Sequence, residues 1–284
     1  MNQAYLNGQY STLDEARISP LDRGFLFGDG VYEVIPCYDK RFVGWQQHIT
    51  RMQHGLAQLQ IDLGKSATEL RDIANQIVAA SSDADVGLYI QVTRGAAPVR
   101  KHSFPENIEP TLFMTCFAIP GLATNPQDMI GSAVQTEQDI RWKRCDLKSV
   151  SLLGSVLHFQ SAQEKGLQET LLVDDKNHVT EASTSNVFIV KDGTIVTPPL
   201  SNELLPGITR DILLHIIQQH TSYQLVEQPI SLDTLYQADE CWITSSSRGV
   251  VPITECDGKV LSDGKVGPVA KELACLYCEH LFEY

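Results

Sequence analysis

From residue 46 to 59 the apolar side chains Ile49, Met52, Leu56 and Leu59 recur every three or four positions, which draws one stripe down a helix. A second helical stretch follows over residues 67–80. Around these two the pattern is that of strands: residues 4–7 run into an Asn7-Gly8 turn, and residues 30–35, 86–93 and 110–117 alternate or run apolar. Asp22-Arg23-Gly24 and Gly28-Asp29-Gly30 read as turns. Residues 119–126, Ile-Pro-Gly-Leu-Ala-Thr-Asn-Pro, have the composition of a linker. Beyond it the pattern predicts a strand at 133–136, a helix at 152–164, strands at 169–173 and 185–190, and a turn at Asp192-Gly193. A helix at 208–220, strands at 241–244 and 250–254, a turn at Asp257-Gly258 and a last helix at 269–282 complete the chain. Strands and helices mix without a regular βαβ beat, so the expected fold class is α+β in two lobes. Its divisions are a small N-terminal domain at 1–118, a linker at 119–126 and a larger C-terminal domain at 127–284.

Composition narrows the classes of function. With 43% hydrophobic and 20% charged residues in 284, the chain can build a full core. A net charge of −13 disfavours nucleic acid and anionic membranes as partners, while leaving room for a local cationic pocket. No apolar stretch is long enough for a bilayer, and residues 1–5 lack the basic start and apolar run of a signal peptide. Seven scattered cysteines fit reduced thiols in a cytoplasm. Cys275 and Cys278 form a lone CxxC in the last predicted helix, which reads as two half-buried thiols; no metal is assigned.

Three places offer to hold an anion. Gly207-Ile208-Thr209 opens a helix, where backbone N–H groups lack intrahelical partners. Ser245-Ser246-Ser247 follows a strand, and Arg51 lies on the first strong helix. Each taken alone is better explained by an ordinary helix start, a polar loop and a solvated arginine. Gly24, Gly28 and Gly30 do not have the spacing of a dinucleotide fingerprint.

The runs Asp139-Ile140-Arg141-Trp142-Lys143-Arg144-Cys145-Asp146-Leu147-Lys148-Ser149 and Val179-Thr180-Glu181-Ala182-Ser183-Thr184-Ser185-Asn186-Val187-Phe188 closely resemble the fold-type-IV pyridoxal-phosphate enzymes. Asp22-Arg23-Gly24, Phe27 through Val34, His48-Ile49-Thr50-Arg51 and Leu205 through Arg210 extend the likeness over nearly the whole chain. That family holds D-amino acid aminotransferases, branched-chain aminotransferases and aminodeoxychorismate lyases. The resemblance implies two lobes with pyridoxal 5′-phosphate between them, and a homodimer. It makes Lys148 the lysine that binds the cofactor as a Schiff base and Glu181 the partner of the pyridine nitrogen. Arg51, Ile208, Thr209 and Ser246 become the phosphate ligands, which gives the three anion signals one purpose. Without that context Lys148 reads as a surface lysine and Glu181 as a solvated strand-end carboxylate. Arg141 reads equally as a brace for Glu181 and as a structural salt bridge.

The chemistry asks for these residue types. A lysine can carry a carbonyl compound and then move a proton, and an anion beside a pyridine nitrogen keeps that nitrogen protonated. The expected reaction is ping-pong transamination between an amino acid and a 2-oxo acid. Arg100 and His102, in Val99-Arg100-Lys101-His102-Ser103, resemble the Arg-x-His loop of the bacterial D-amino acid enzymes, and Tyr32 matches the tyrosine that joins it on the substrate carboxylate. In those enzymes the loop reaches across the dimer. Here one extra residue stands between Pro98 and Arg100, and Arg248 follows the serine run where the pattern lacks an arginine. Arg248 is read as a surface residue, with a second substrate-side cation as the other option. D-amino acids are therefore the expected substrates; the alternatives are a branched-chain L-aminotransferase and an aminodeoxychorismate lyase.

Overall fold

The computed structural model describes residues 3–122, 125 and 128–284, so the linker expected at 119–126 lies partly outside the described residues. Packing divides the chain into two units, Met1–Gly121 with Leu147–Leu152, and Leu122–Asp146 with Leu153–Tyr284.

The first unit contains β1 (Gln3–Leu6), β2 (Gln9–Thr12), α1 (Arg23–Phe27), β3 (Gly30–Tyr38), β4 (Arg41–Phe42), α2 (Trp45–Gln58), α3 (Ala67–Ala79), β5 (Val86–Thr93) and β6 (Thr111–Ala118). Its strands form one antiparallel sheet in the order β2-β1-β6-β5-β3-β4. Alternation sends Ile35, Leu88, Ile90 and Met114 into a core closed by Ile49 and Met52 of α2 and by Ile77 of α3. Ser66 caps α3 by accepting from the Glu69 N–H, and the Glu69 carboxylate accepts in return from the Ser66 N–H. The turn signals around residue 24 prove to be the two ends of α1: the Asp22 carboxylate accepts from the Gly24 N–H, and Gly28 closes the helix at φ 67°. At five residues that helix is too short to show a 3.6-residue period.

The second unit contains β7 (Ser132–Gln138), α4 (Leu153–Glu164), β8 (Glu169–Val173), β9 (His178–Ala182), β10 (Asn186–Lys191), β11 (Thr194–Thr197), α5 (Ile208–His220), β12 (Gln224–Glu227), β13 (Ile230–Ser231), α6 (Leu232–Tyr236), β14 (Glu240–Ser245), β15 (Gly249–Cys256), β16 (Lys259–Val260) and α7 (Pro268–His280). The sheet runs β12-β11-β10-β14-β15-β7-β8-β9-β13, with β16 beside β15. The β10/β14 pair is apolar on both faces: Val187, Ile189 and Ile243 enter one cluster, while Phe188 and Trp242 stack at 5.6 Å against Leu213 and Ile217 of α5 and Leu273 of α7. Cys275 and Cys278 lie half-buried and unbridged on α7. No helix among the described residues is long and apolar enough to cross a membrane.

Leu147–Leu152 packs with the first unit although its sequence neighbours on both sides belong to the second. The Tyr32 N–H donates to the Lys148 carbonyl at 3.0 Å, the Val150 N–H donates to the Gly30 carbonyl at 3.0 Å, and Val31 faces Ser149 in an antiparallel bridge. These bonds use the free edge of β3 ahead of its pairing with β4.

Candidate active site

In the first unit, the strand-like pairing of residues 148–150 with the start of β3 brings Lys148 beside Tyr32. The ammonium donates to the Tyr32 hydroxyl at 3.2 Å and stands 4.3 Å from that ring's centre. Tyr32 in turn stacks on Tyr89 at 5.8 Å. Lys148 is half-buried, where the sequence taken without its resemblance made it a surface lysine.

One residue along β3, Glu33 points to the other face, between Val31 and Ile35, and is completely buried. The Arg51 guanidinium donates to both of its oxygens at 2.8 and 2.6 Å, and His48 Nδ1 lies 2.7 Å from one of them. Burial by itself would raise the Glu33 carboxyl, but Arg51 and His48 outweigh it and bring the pKa down to about 2. Burial pushes the His48 imidazole below its ordinary value. Glu33 thus fixes the direction of Arg51. Its signal in the sequence was a charged residue at a core-facing position of an alternating strand, opposite a His and an Arg three apart on one helix.

Arg100 and His102 lie in the irregular segment after β5, and both are exposed. The Arg100 guanidinium sits 4.7 Å and the His102 ring 5.3 Å from the Phe27 ring, and Arg23 holds the segment by donating to the Lys101 and His102 carbonyls at 2.5 and 3.2 Å. Tyr32 makes its hydrogen bond and ring contacts with Lys148 and Tyr89 instead.

In the second unit, Glu181 sits near the end of β9 and is 4% exposed, a correction to the solvated carboxylate that its residue type suggested. Arg141 Nη1 donates to Oε1 at 2.5 Å, and the Leu205 N–H and Asn186 amide donate to Oε2 at 3.0 and 3.3 Å. Asp139 holds the other edge of the Arg141 guanidinium at 2.8 Å, so this arginine is a brace for Glu181. Burial raises the Glu181 carboxyl from the ordinary 4.5 to about 7, with Arg141 pulling against it. A carboxylate held at this margin is one that a further positive charge converts fully to the anion.

Asn186 also organises the neighbouring anion seat. Its amide donates to the Leu205 carbonyl at 2.9 Å, and it pairs with Thr244 across the β10/β14 ladder. A Cβ on Gly207 would stand 1.9 Å from the Asn186 side-chain oxygen, so only glycine fits there. Gly207 supplies no side-chain cap to α5, and the first backbone bond of the helix reaches back from Asp211 to Gly207. The N–H groups of Ile208 and Thr209 therefore open toward the end where Thr244 lies. Thr244 Oγ1 is buried on that side without a hydrogen-bond partner, and the Ser245 Oγ next to it in the chain is likewise buried and unpartnered. Uncapped N–H groups and orphaned hydroxyls match the donor needs of a phosphate, so the residues present fit that group.

Arg248 is not the surface residue expected. Its Nη2 lies 3.2 Å from Oε1 of Glu169, which is fully buried at the start of β8, and it also donates to Thr184 and Ser185 at 3.3 and 3.1 Å.

The amino-transferase class IV family profile matches residues 30–256. A D-alanine aminotransferase of Staphylococcus haemolyticus is 36% identical over 275 residues, covering 96% of this chain and 95% of that one. A D-alanine aminotransferase of Bacillus licheniformis is 37% identical over 268 residues, with 94% and 93% covered. Among solved structures, a branched-chain aminotransferase of the archaeon Thermoproteus uzoniensis, bound to norvaline, superposes with a TM-score of 0.88 at 22% identity, covering 99% of this chain and 95% of that one. The branched-chain enzyme of Escherichia coli gives 0.87 at 22%, with 99% and 94% covered. These structures share the fold.

Proposed function

The chain belongs to the class IV aminotransferases, and on that premise we propose that it is a pyridoxal-phosphate-dependent transaminase that moves amino groups between D-amino acids and 2-oxo acids. The observation that carries the reading is the presence of a half-buried Lys148 against Tyr32 and a buried Glu181 braced by Arg141, in one chain about 36% identical to D-alanine aminotransferases over nearly its full length.

When bound, pyridoxal phosphate supplies the carbonyl that receives the amino group and the ring that draws electrons from the substrate Cα. Lys148 Nζ is the amine that tethers the cofactor. With that amine free, Lys148 would be the base that takes the proton from the substrate Cα and the acid that gives it back. Tyr32 orients that amine through the bond its hydroxyl accepts. Glu181 holds a proton on the ring nitrogen, and Arg141 holds Glu181. Arg51, Ile208, Thr209 and Ser246 hold the phosphate, with Glu33 and His48 fixing Arg51. Tyr32, Arg100 and His102 take the substrate carboxylate, for which the planar fork of an arginine is suited.

The working form is a homodimer. Support comes from α4, which turns Leu153, Val156 and Leu157 to solvent, 71%, 55% and 51% exposed, an apolar helix face of the kind that a second copy covers. The exposed positions of Arg100 and His102 leave them available to that copy. Seven free thiols suit a cytoplasmic setting.

The deciding experiment assays pure holoenzyme against paired D- and L-amino acids with 2-oxoglutarate and pyruvate. Turnover of D-alanine or D-glutamate well above every L-amino acid is expected, together with a visible absorbance band that borohydride abolishes. Lys148→Ala is expected to lose the band and several orders of magnitude of rate, each tenfold being about 1.4 kcal/mol of barrier. A preference for L-leucine or L-valine would sink the D-specific reading, and near-normal turnover by Lys148→Ala without added amine would sink the role of that lysine.

A further inference from the structure

Among the ion pairs of the second unit that the mechanism above leaves unused, Arg248–Glu169 has a fully buried carboxylate and joins the serine turn to the 183–185 turn. Glu169 is fully buried yet takes donors on both oxygens: the Thr184 N–H at 3.2 Å, the Thr184 hydroxyl and Arg248 on Oε1, and the Thr170 N–H at 3.2 Å and the Ser183 hydroxyl on Oε2. A carboxylate at that depth is tolerable only when its lone pairs are filled and a cation stands beside it. Arg248 is that cation, and it is anchored on the turn that joins β14 to β15, where its N–H donates to the Ser245 carbonyl at 3.3 Å. The same guanidinium nitrogen reaches Thr184 and Ser185, in the turn that leads from Glu181 to Asn186.

We propose that Arg248 is a positioning residue for phosphate recognition: by clasping buried Glu169 and the 183–185 turn, it locks the serine turn in the conformation that presents Ser246 and Ser245 to the phosphate. The inference rests on the cofactor reading above. The hairpin pair Ser245–Gly249 closes the turn at its base, and within the turn Arg248 is the residue whose side chain is tied to other elements. The Ser246 hydroxyl makes no hydrogen bond among the described residues, and the Ser245 and Thr244 hydroxyls are buried without partners. Gly249 ends the turn in the left-handed region at φ 62°. Two donors waiting for an oxygen gain from having the turn fixed before the ligand arrives, because the ordering is then paid in folding rather than in binding. The pair is neutral as a whole, so Arg248 offers no free charge to a second substrate carboxylate.

The test compares pyridoxal phosphate with pyridoxal, which lacks the phosphate, by equilibrium dialysis against wild type and variants of the full chain. Wild type is expected to favour pyridoxal phosphate. Arg248→Met is expected to weaken pyridoxal phosphate at least tenfold and pyridoxal less than twofold, with Arg248→Lys recovering part of the loss. Because Arg248→Met strands the Glu169 charge, the double variant Arg248→Met/Glu169→Gln removes both charges and is expected to regain thermal stability while staying weak for pyridoxal phosphate. Equal loss for the two ligands, no loss, or affinity returning together with stability in the double variant would overturn the positioning role. A wild type that does not distinguish the two ligands overturns the phosphate assignments themselves, and this inference with them.

Discussion

Replacing Glu181 with glutamine separates what this residue does for the fold from what it does for the reaction. The carboxylate is 4% exposed and its pKa is raised by burial from 4.5 to about 7, so its ionised form is disfavoured in the folded state. At about 1.4 kcal/mol per pKa unit, that displacement is about 3 kcal/mol of stability given up at high pH. A raised folded-state pKa means that nothing is lost below pH 4.5, that the loss grows between 4.5 and 7, and that it is complete above 7. The glutamine introduced by Glu181→Gln carries no charge and escapes this penalty. Its amide nitrogen, however, must face a donor, because Arg141, Leu205 N–H and Asn186 all donate to the present carboxylate, and one mismatched donor costs about 1–3 kcal/mol. At pH 8 the two effects oppose, and the cofactor-free variant is expected within about 2 kcal/mol of wild type in urea unfolding. At pH 5 the relief is mostly absent and the mismatch stands alone. The difference between variant and wild type should therefore move in the variant's favour by about 2–3 kcal/mol from pH 5 to pH 8. Chemistry should respond in the opposite sense: stopped-flow measurement of the first half-reaction is expected to slow at least a hundredfold, about 3 kcal/mol of barrier, with cofactor still bound. An unchanged half-reaction would refute the role given to Glu181. A stability difference that does not vary with pH would refute the raised carboxyl.

Arg100→Ala should raise KM and lower kcat/KM for D-alanine and D-glutamate by about 2–3 kcal/mol, the scale of a lost charged hydrogen bond; unaltered D-substrate kinetics would remove Arg100 from the carboxylate site. Glu33→Gln should destabilise the protein at neutral pH by about 3–5 kcal/mol, because Arg51 and His48 lose the carboxylate that both face. Since the Glu33 pKa is lowered to about 2, the stability it confers is present above pH 4.5 and lost as the pH falls through 2. Acid titration of wild type and variant should converge over that window, and a constant gap would show that Glu33 is not the group responsible.

Local pattern was enough for the longer elements. The spacing of Ile49, Met52 and Leu56 set α2, and residues 169–173 and 208–220 coincide with β8 and α5. What the pattern passed over was short or polar: α1 and β4 hold too few residues to express a period, and β9, which carries Glu181, reads His-Val-Thr-Glu-Ala where β8, of the same length, reads Glu-Thr-Leu-Leu-Val. For the site, the sequence supplied the chemistry-bearing residues through their resemblance to a family. It did not say which of them were buried or what braced them. Glu33 meets His48 and Arg51, Asn186 meets Leu205, and Glu169 meets Arg248 across 15, 18, 19 and 79 residues of sequence, so these partners come together only when strands and helices pack. The same distance explains Arg248: read locally it is an arginine in a polar turn, and only the buried Glu169, 79 residues earlier, gives it a fixed partner. Periodicity reports which face of an element meets the core. Which charge waits on that face is decided by tertiary packing, because burial is what makes an unpaired charge costly enough to demand a partner.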